Sequence, residues 1–140
     1  MLKTICYISD SCQEESLDTL KALYSKAKNN NSKYNITGIL IYSNSNFLQV
    51  LEGDQTSVDA TFKRISLDRR HRNIFKVINI DIQQRIFEDY NFGFTIVNNN
   101  NKELDSLYEY LEWLRKADNT LANKVVNMVE NFIAQKTAKH

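Results

Sequence analysis

The sequence predicts an α+β fold, a single sheet with two helices on one face and two C-terminal helices on the other. Three observations predict it. Short β-rich runs alternate with stretches of helical periodicity over the first 97 residues. The first three predicted strands carry apolar residues on both faces, so both faces need cover. The tail, residues 98–140, holds two amphipathic stripes that must themselves cover something apolar.

The elements follow in order. Residues 2–8, Leu-Lys-Thr-Ile-Cys-Tyr-Ile, form strand one. Ser11 followed by Glu14 fits a capping box that opens helix one. Leu17, Leu20, Leu23, Tyr24 and Ala27 recur at helical spacing, so this helix runs to about residue 30. Residues 36–42 form strand two, and residues 47–51 form strand three. The Ser43-Asn44-Ser45-Asn46 turn between them makes a hairpin. Asp54 to Ser57 opens helix two, with Val58, Phe62 and Ile65 on one face. Residues 74–82 form strand four, and Tyr90 to Val97 form strand five. Leu104, Leu107, Tyr108, Leu111 and Leu114 make the first tail stripe. Leu121, Val125, Met128, Val129, Phe132 and Ile133 make the second.

The order βαββαββ is the ferredoxin-like pattern plus one strand. That pattern alone predicts no chemistry. A metal chaperone on it needs Cys-x-x-Cys, which is missing. An RNA-binding module needs basic and aromatic interleaving, which Phe47-Leu48-Gln49-Val50-Leu51 lacks. An acylphosphatase needs an arginine in the loop after strand one, and Ser9-Asp10-Ser11-Cys12-Gln13 has none.

Composition narrows the classes further. The chain has 140 residues, long enough for one domain with a small extension. It contains no proline and three glycines, Gly38, Gly53 and Gly93. A typical chain of this length carries roughly ten glycines and seven prolines. A glycine-rich phosphate loop is therefore excluded. Asparagine is expected to supply left-handed turn positions in place of glycine. The net charge is +1, so no broad basic field draws nucleic acid. The Arg69-Arg70-His71-Arg72 run reads as a solvated helix end. Two cysteines and two histidines make neither a disulfide scaffold nor a good metal site. No apolar run suits a signal peptide or a membrane span, which points to a cytoplasmic protein without membrane contact.

The informative residues are polar ones at strand positions expected to be buried. Gln49 shares a strand face with Phe47 and Leu51. Tyr7 brings a hydroxyl into the apolar run of strand one. If strands one and three are neighbours at the sheet centre, the two side chains can hydrogen-bond to each other. Each alone also fits a satisfied polar group in a core. Asn30 and Asn31 close helix one, where a plain C-terminal cap accounts for both. Glu52, Asp54, Glu88 and Asp89 sit at loop edges and read as solvated charge. Nothing suggests paired catalytic carboxylates or a Ser-His-Asp array, so no enzymatic activity is expected.

The ordered series Tyr7-Ile8-Ser9, Asn30-Asn31, Ile36-Thr37-Gly38-Ile39-Leu40, Phe47 to Gly53 and Asp68-Arg69-Arg70-His71 resembles the BLUF family, blue-light sensors using FAD. The blocks cover residues 4 to about 97. The resemblance implies a ferredoxin-like domain over residues 1–97 with the flavin ring between the first two helices, parallel to them. It implies non-covalent FAD, with FMN or riboflavin as substitutes, because the phosphates are poorly gripped. It makes Tyr7 the phenol beside the ring and Gln49 the amide bridging that phenol to the ring edge. Asn30 and Asn31 would shape the carbonyl edge, and Arg70 and His71 would lie near the opposite carbonyl and the sugar chain. Arg64 would reach toward the cofactor or its phosphates, and Ile65 would wall the ring slot. Tyr24 has a plausible position at the cavity mouth.

Such a site implies a photochemical switch rather than turnover. Tyr7 loses an electron and a proton, Gln49 rearranges, and a red-shifted state forms that decays in the dark. The sequence departs from the family in strand five. Many members carry tryptophan and, two residues on, methionine there; this chain has Tyr90 and Phe92. Those two positions are the expected signal output, and Phe92 would respond more stiffly than methionine. The tail, residues 98–140, holds only two helices, so the signal would pass to a separate protein or change self-association, a homodimer being expected. The competing reading is a non-photoactive protein–protein interaction module on the same scaffold.

Overall fold

The computed structural model describes residues 1–11, 17–43, 46–68, 71–87, 94–97, 101–116 and 120–137. Among the described residues, five strands and four helices follow one another as β1 (Leu2–Ser11), α1 (Leu17–Lys33), β2 (Thr37–Ser43), β3 (Asn46–Asp54), α2 (Gln55–Ser66), β4 (His71–Ile82), β5 (Phe94–Val97), α3 (Asn101–Lys116) and α4 (Thr120–Thr137). The sheet order is β4-β1-β3-β2-β5. β1 and β3 are antiparallel and central, and β5 joins β2 in parallel. The α+β, ferredoxin-like reading of the sequence holds.

Alternation along the strands divides the molecule into two layers. Ile5, Tyr7, Leu40, Tyr42, Phe47 and Leu51 face α1 and α2, packing with Leu23, Val58, Phe62 and Ile65. Cys6, Ile39, Ile41, Leu48, Val50 and Ile78 face the other way, against Leu107 and Leu111 of α3 and Val125 and Val129 of α4. Leu107, Leu111 and Leu114 of the first tail stripe and Val125, Val129, Phe132 and Ile133 of the second thus cover the second sheet face, while Tyr108, expected on the first stripe, is exposed. Asp54 caps α2, its carboxylate accepting from the Thr56 N–H at 3.2 Å.

Several boundaries differ from those the sequence suggests. Ser11 belongs to β1, paired with His71, while Glu14, the other half of the expected capping box, lies outside the described residues. α1 runs on to Lys33, so Asn30 and Asn31 lie inside its last turns rather than closing it. The stop comes at Asn35, whose φ of 54° is left-handed, where glycine is usual. Asn73, at φ 52°, plays the same part in β4, where the pairing with β1 slips register. These two asparagines do what the scarcity of glycine demanded. β4 starts at His71, so Arg72 opens a strand, not a helix end. Much of the expected strand five, with Tyr90 and Phe92, lies outside the described residues.

Gly38 is required by close approach. Its φ is +146°, and a Cβ there would meet the Val50 carbonyl oxygen at 1.8 Å. β2 and β3 are therefore in backbone contact one residue from Gln49.

Candidate functional site

α1 and α2 leave a cavity of about 340 Å³ between them, open on one side and floored by the sheet. That size suits a small organic ligand. Tyr7, Leu40 and Gln49 come from β1, β2 and β3; Asn30 and Asn31 from α1; Arg64 and Ile65 from α2. Helical spacing brings Leu23, Lys26 and Ala27 to the same wall as Asn30, and Thr61 to the same wall as Arg64. Asp68 completes the lining.

Tyr7 and Gln49 are direct cross-strand partners. The Tyr7 hydroxyl donates to Gln49 Oε1 at 2.5 Å, and both residues are buried. With its oxygen on the phenol, Gln49 offers its N–H₂ as donor. Burial pushes the Tyr7 phenol well above the usual tyrosine range, with smaller contributions from Cys6 and Asp68. Tyr7 is thus a neutral donor at physiological pH. The Phe62 ring stands edge-on to it at 5.6 Å between centroids.

Asn31 is 2% exposed, and its Nδ2 has no hydrogen-bond partner among the described residues. Leaving a buried donor unpaired costs about 1–3 kcal/mol. Its main-chain oxygen accepts from the Ile36 N–H at 2.8 Å, so the backbone is held while the side-chain Nδ2 stays unpaired beside the cavity. Arg64 donates to Thr61 Oγ1 at 3.1 Å, and its guanidinium lies 4.8 Å from the Tyr34 ring centroid. With Lys26 it makes the rim cationic.

The donor set fits a flat ring with apolar faces and a polar edge. Ile65, Leu40 and Ala27 supply apolar walls, while Gln49, Asn30 and Asn31 supply amides. The orphaned Asn31 Nδ2 is the sharpest sign that a polar ligand completes this site.

Of the residues the sequence singled out, Tyr7, Asn30, Asn31, Gln49, Arg64 and Ile65 meet in this cavity. Arg70 and the side chains of His71 and Tyr24 lie outside the described residues. Lys26, Thr61 and Asp68 were not anticipated. One helical turn back from Asn30 and from Ile65 reaches the first two, so periodicity carried that signal. Glu52 overturns its reading as a solvated charge. It is fully buried, because β3 continues through it and points it into the α3–α4 layer.

Residues 2–93 match the family model for sensors of blue light using FAD, BLUF. The blue light- and temperature-regulated antirepressor BluF of Escherichia coli is 33% identical over 78 residues, 56% of this chain and 19% of that protein. Klebsiella pneumoniae BlrP1 with FMN and cyclic diGMP superposes with a TM-score of 0.76 at 29% identity, over 96% of this chain and 35% of that one. The photo-activated state of BlsA superposes at 0.67 and 25% identity, over 90% of this chain and 91% of that one. The chain spans a fifth or less of the curated relatives it matches.

Proposed function

The chain belongs to the BLUF family, sensors of blue light using FAD, and from that premise we propose which of its residues do the sensing. The domain binds flavin and responds to blue light; it is not an enzyme. The cavity between α1 and α2 takes the flavin ring, and residues 1–97 form the photosensory unit. Residues 98–140 form a helical extension of it.

Each lining residue has a part. Asn31 donates its unpaired N–H₂ to a carbonyl on the ring edge, with Asn30 beside it. Ile65 and Leu40 flank the ring. Arg64 faces the more polar remainder of the cofactor, and Arg70 and His71 contribute to the same end. Bound flavin supplies, when excited by blue light, an oxidant strong enough to take an electron from a phenol.

Tyr7 is that phenol. As it gives up an electron, its proton is free to leave along the bond to Gln49 Oε1. Gln49 relays it because an amide has an acceptor end and a donor end. Rotation or tautomerisation exchanges those ends and changes what the amide presents to the ring. Electron and proton return to Tyr7 while the amide stays rearranged, which leaves the absorption shifted to the red, and reversal of the amide restores the dark state. The single observation that carries this reading is the buried Tyr7–Gln49 bond in the cavity floor.

The response has to reach a protein partner. One relative is named an antirepressor and others are named photoactivated adenylate cyclase subunits. We assign this chain a separate signalling partner, a homodimeric state and a cytoplasmic location, with Tyr90 and Phe92 in the output strand. No described helix is long and apolar enough to cross a membrane.

An absorption spectrum of the flavin-loaded protein before and after blue light tests the proposal. A red shift that reverses in the dark is expected. A bleached or unchanged spectrum contradicts it.

A further inference from the structure

Gln49 and Glu52 lie three residues apart on β3 and point to opposite faces of the sheet. Gln49 lines the cavity. Glu52 is a carboxylate with no exposure, on the side of α3 and α4. A buried carboxylate is costly and needs compensation. Here three donors supply it. Oε1 accepts from Thr37 Oγ1 at 2.7 Å and from the Phe87 N–H at 2.7 Å. Oε2 accepts from the Ile86 N–H at 2.9 Å. Arg85 donates to the same Thr37 hydroxyl at 3.1 Å and adds a nearby positive charge, yet burial outweighs these partners and holds the Glu52 carboxyl above the usual carboxylate range.

The segment that Glu52 grips is gripped again from the other side. Tyr110 of α3 donates its hydroxyl to the Ile86 carbonyl oxygen. The Phe87 and Tyr110 rings lie 5.8 Å apart, and Tyr110 lies 5.4 Å from Trp113, which is 56% exposed. Ile86 thus has its N–H fastened to β3 and its carbonyl fastened to α3. Residues 88–93, with Tyr90 and Phe92, follow immediately in the chain.

We propose that Glu52 is a positioning residue for the light response, joining the strand that carries Gln49 through Ile86 and Phe87 to α3. It touches neither cavity nor cofactor. A change in how Gln49 is held displaces β3, and Glu52 converts that displacement into a pull on Ile86, Phe87 and Tyr110. This rests on the assignment of Gln49 to the light response. Proximity alone does not establish such transmission, so the test must read both ends.

The test compares wild type, Glu52→Gln and Tyr110→Phe as flavin-loaded full chains. Absorption reads the cavity end, and backbone amide exchange in α3, light minus dark, reads the other. Glu52→Gln keeps the size of the side chain but turns an N–H₂ toward a backbone N–H. Tyr110→Phe removes only the hydroxyl from the second grip and covers the case in which Glu52→Gln fails to fold. Both variants are expected to keep the reversible red shift. Both are expected to lose most of the light-dependent exchange difference in α3. Dark exchange at Ile86 and Phe87 should also quicken roughly tenfold in Glu52→Gln, as loss of a charged acceptor implies. A wild-type exchange difference in α3 persisting in either folded variant overturns the proposal. So does a wild type that red-shifts without any change in α3. A wild type without a red shift overturns instead the assignment of Tyr7 and Gln49.

Discussion

The Tyr7 hydroxyl donates to the Gln49 amide oxygen across the two central strands, 2.5 Å away and out of contact with bulk water. Register sets this pair, since the residues are directly opposed in the β1–β3 ladder. A slip of one residue would send either side chain to the far face. The pair is therefore as well fixed as the strand pairing itself.

Burial of Tyr7 has a consequence at alkaline pH. Its folded-state pKa is raised, while the unfolded chain releases the phenolic proton near about pH 10. Above that pH the folded state holds one proton more than the unfolded. Stability is intact below it and falls as pH rises, by about 1.4 kcal/mol per pH unit for this group. Denaturant unfolding of the flavin-loaded protein on either side of that pH should show the loss. Tyr7→Phe should show a slope shallower by that amount.

Asn31→Ala separates a ligand contact from a structural one. A structural asparagine would cost folding stability when truncated. An unpaired Nδ2 contributes nothing to the empty protein, so the flavin-free variant should be as stable as wild type or more so. Flavin binding should weaken roughly three- to tenfold, as loss of one hydrogen bond implies. Fluorescence titration with FAD and a melting curve without it give the two readings.

Gly38→Ala should be severely destabilising. The φ of +146° strains any side chain, and the new Cβ would lie 1.8 Å from backbone that cannot give way. The expected loss is about 2–5 kcal/mol from strain and overpacking together. Chemical denaturation measures it. A loss under about 1 kcal/mol would mean that β2 and β3 are further apart than described.

Two residues of this site, Tyr7 and Gln49, were legible in the sequence for a local reason, whereas Asn30, Asn31, Arg64 and Ile65 entered through the family resemblance alone. Tyr7 and Gln49 stand out as polar groups in apolar runs, and strand periodicity puts them on a defined face. Pairing them needed only β1 beside β3. The apolar stripes of α3 and α4 likewise announced a second layer. Glu52 was not legible. A charged residue before Gly53 looks like a strand end, and nothing local says that β3 continues to Asp54. Its donors come from Thr37, Ile86 and Phe87, at least fifteen residues away in sequence. The end of α1 was misplaced for a related reason. Asn30 and Asn31 favour caps, yet the left-handed turn falls on Asn35, and tertiary burial keeps Asn31 in the helix.

The central claim is that the Tyr7–Gln49 pair is the switch. Light-minus-dark absorption spectra of wild type, Tyr7→Phe and Gln49→Leu, each loaded with the same flavin, test it most directly. The wild type should give a red shift that reverses in the dark. Both variants should bind flavin and give none, because one lacks the hydroxyl and the other the amide. A wild-type-like reversible shift in either variant would contradict the claim.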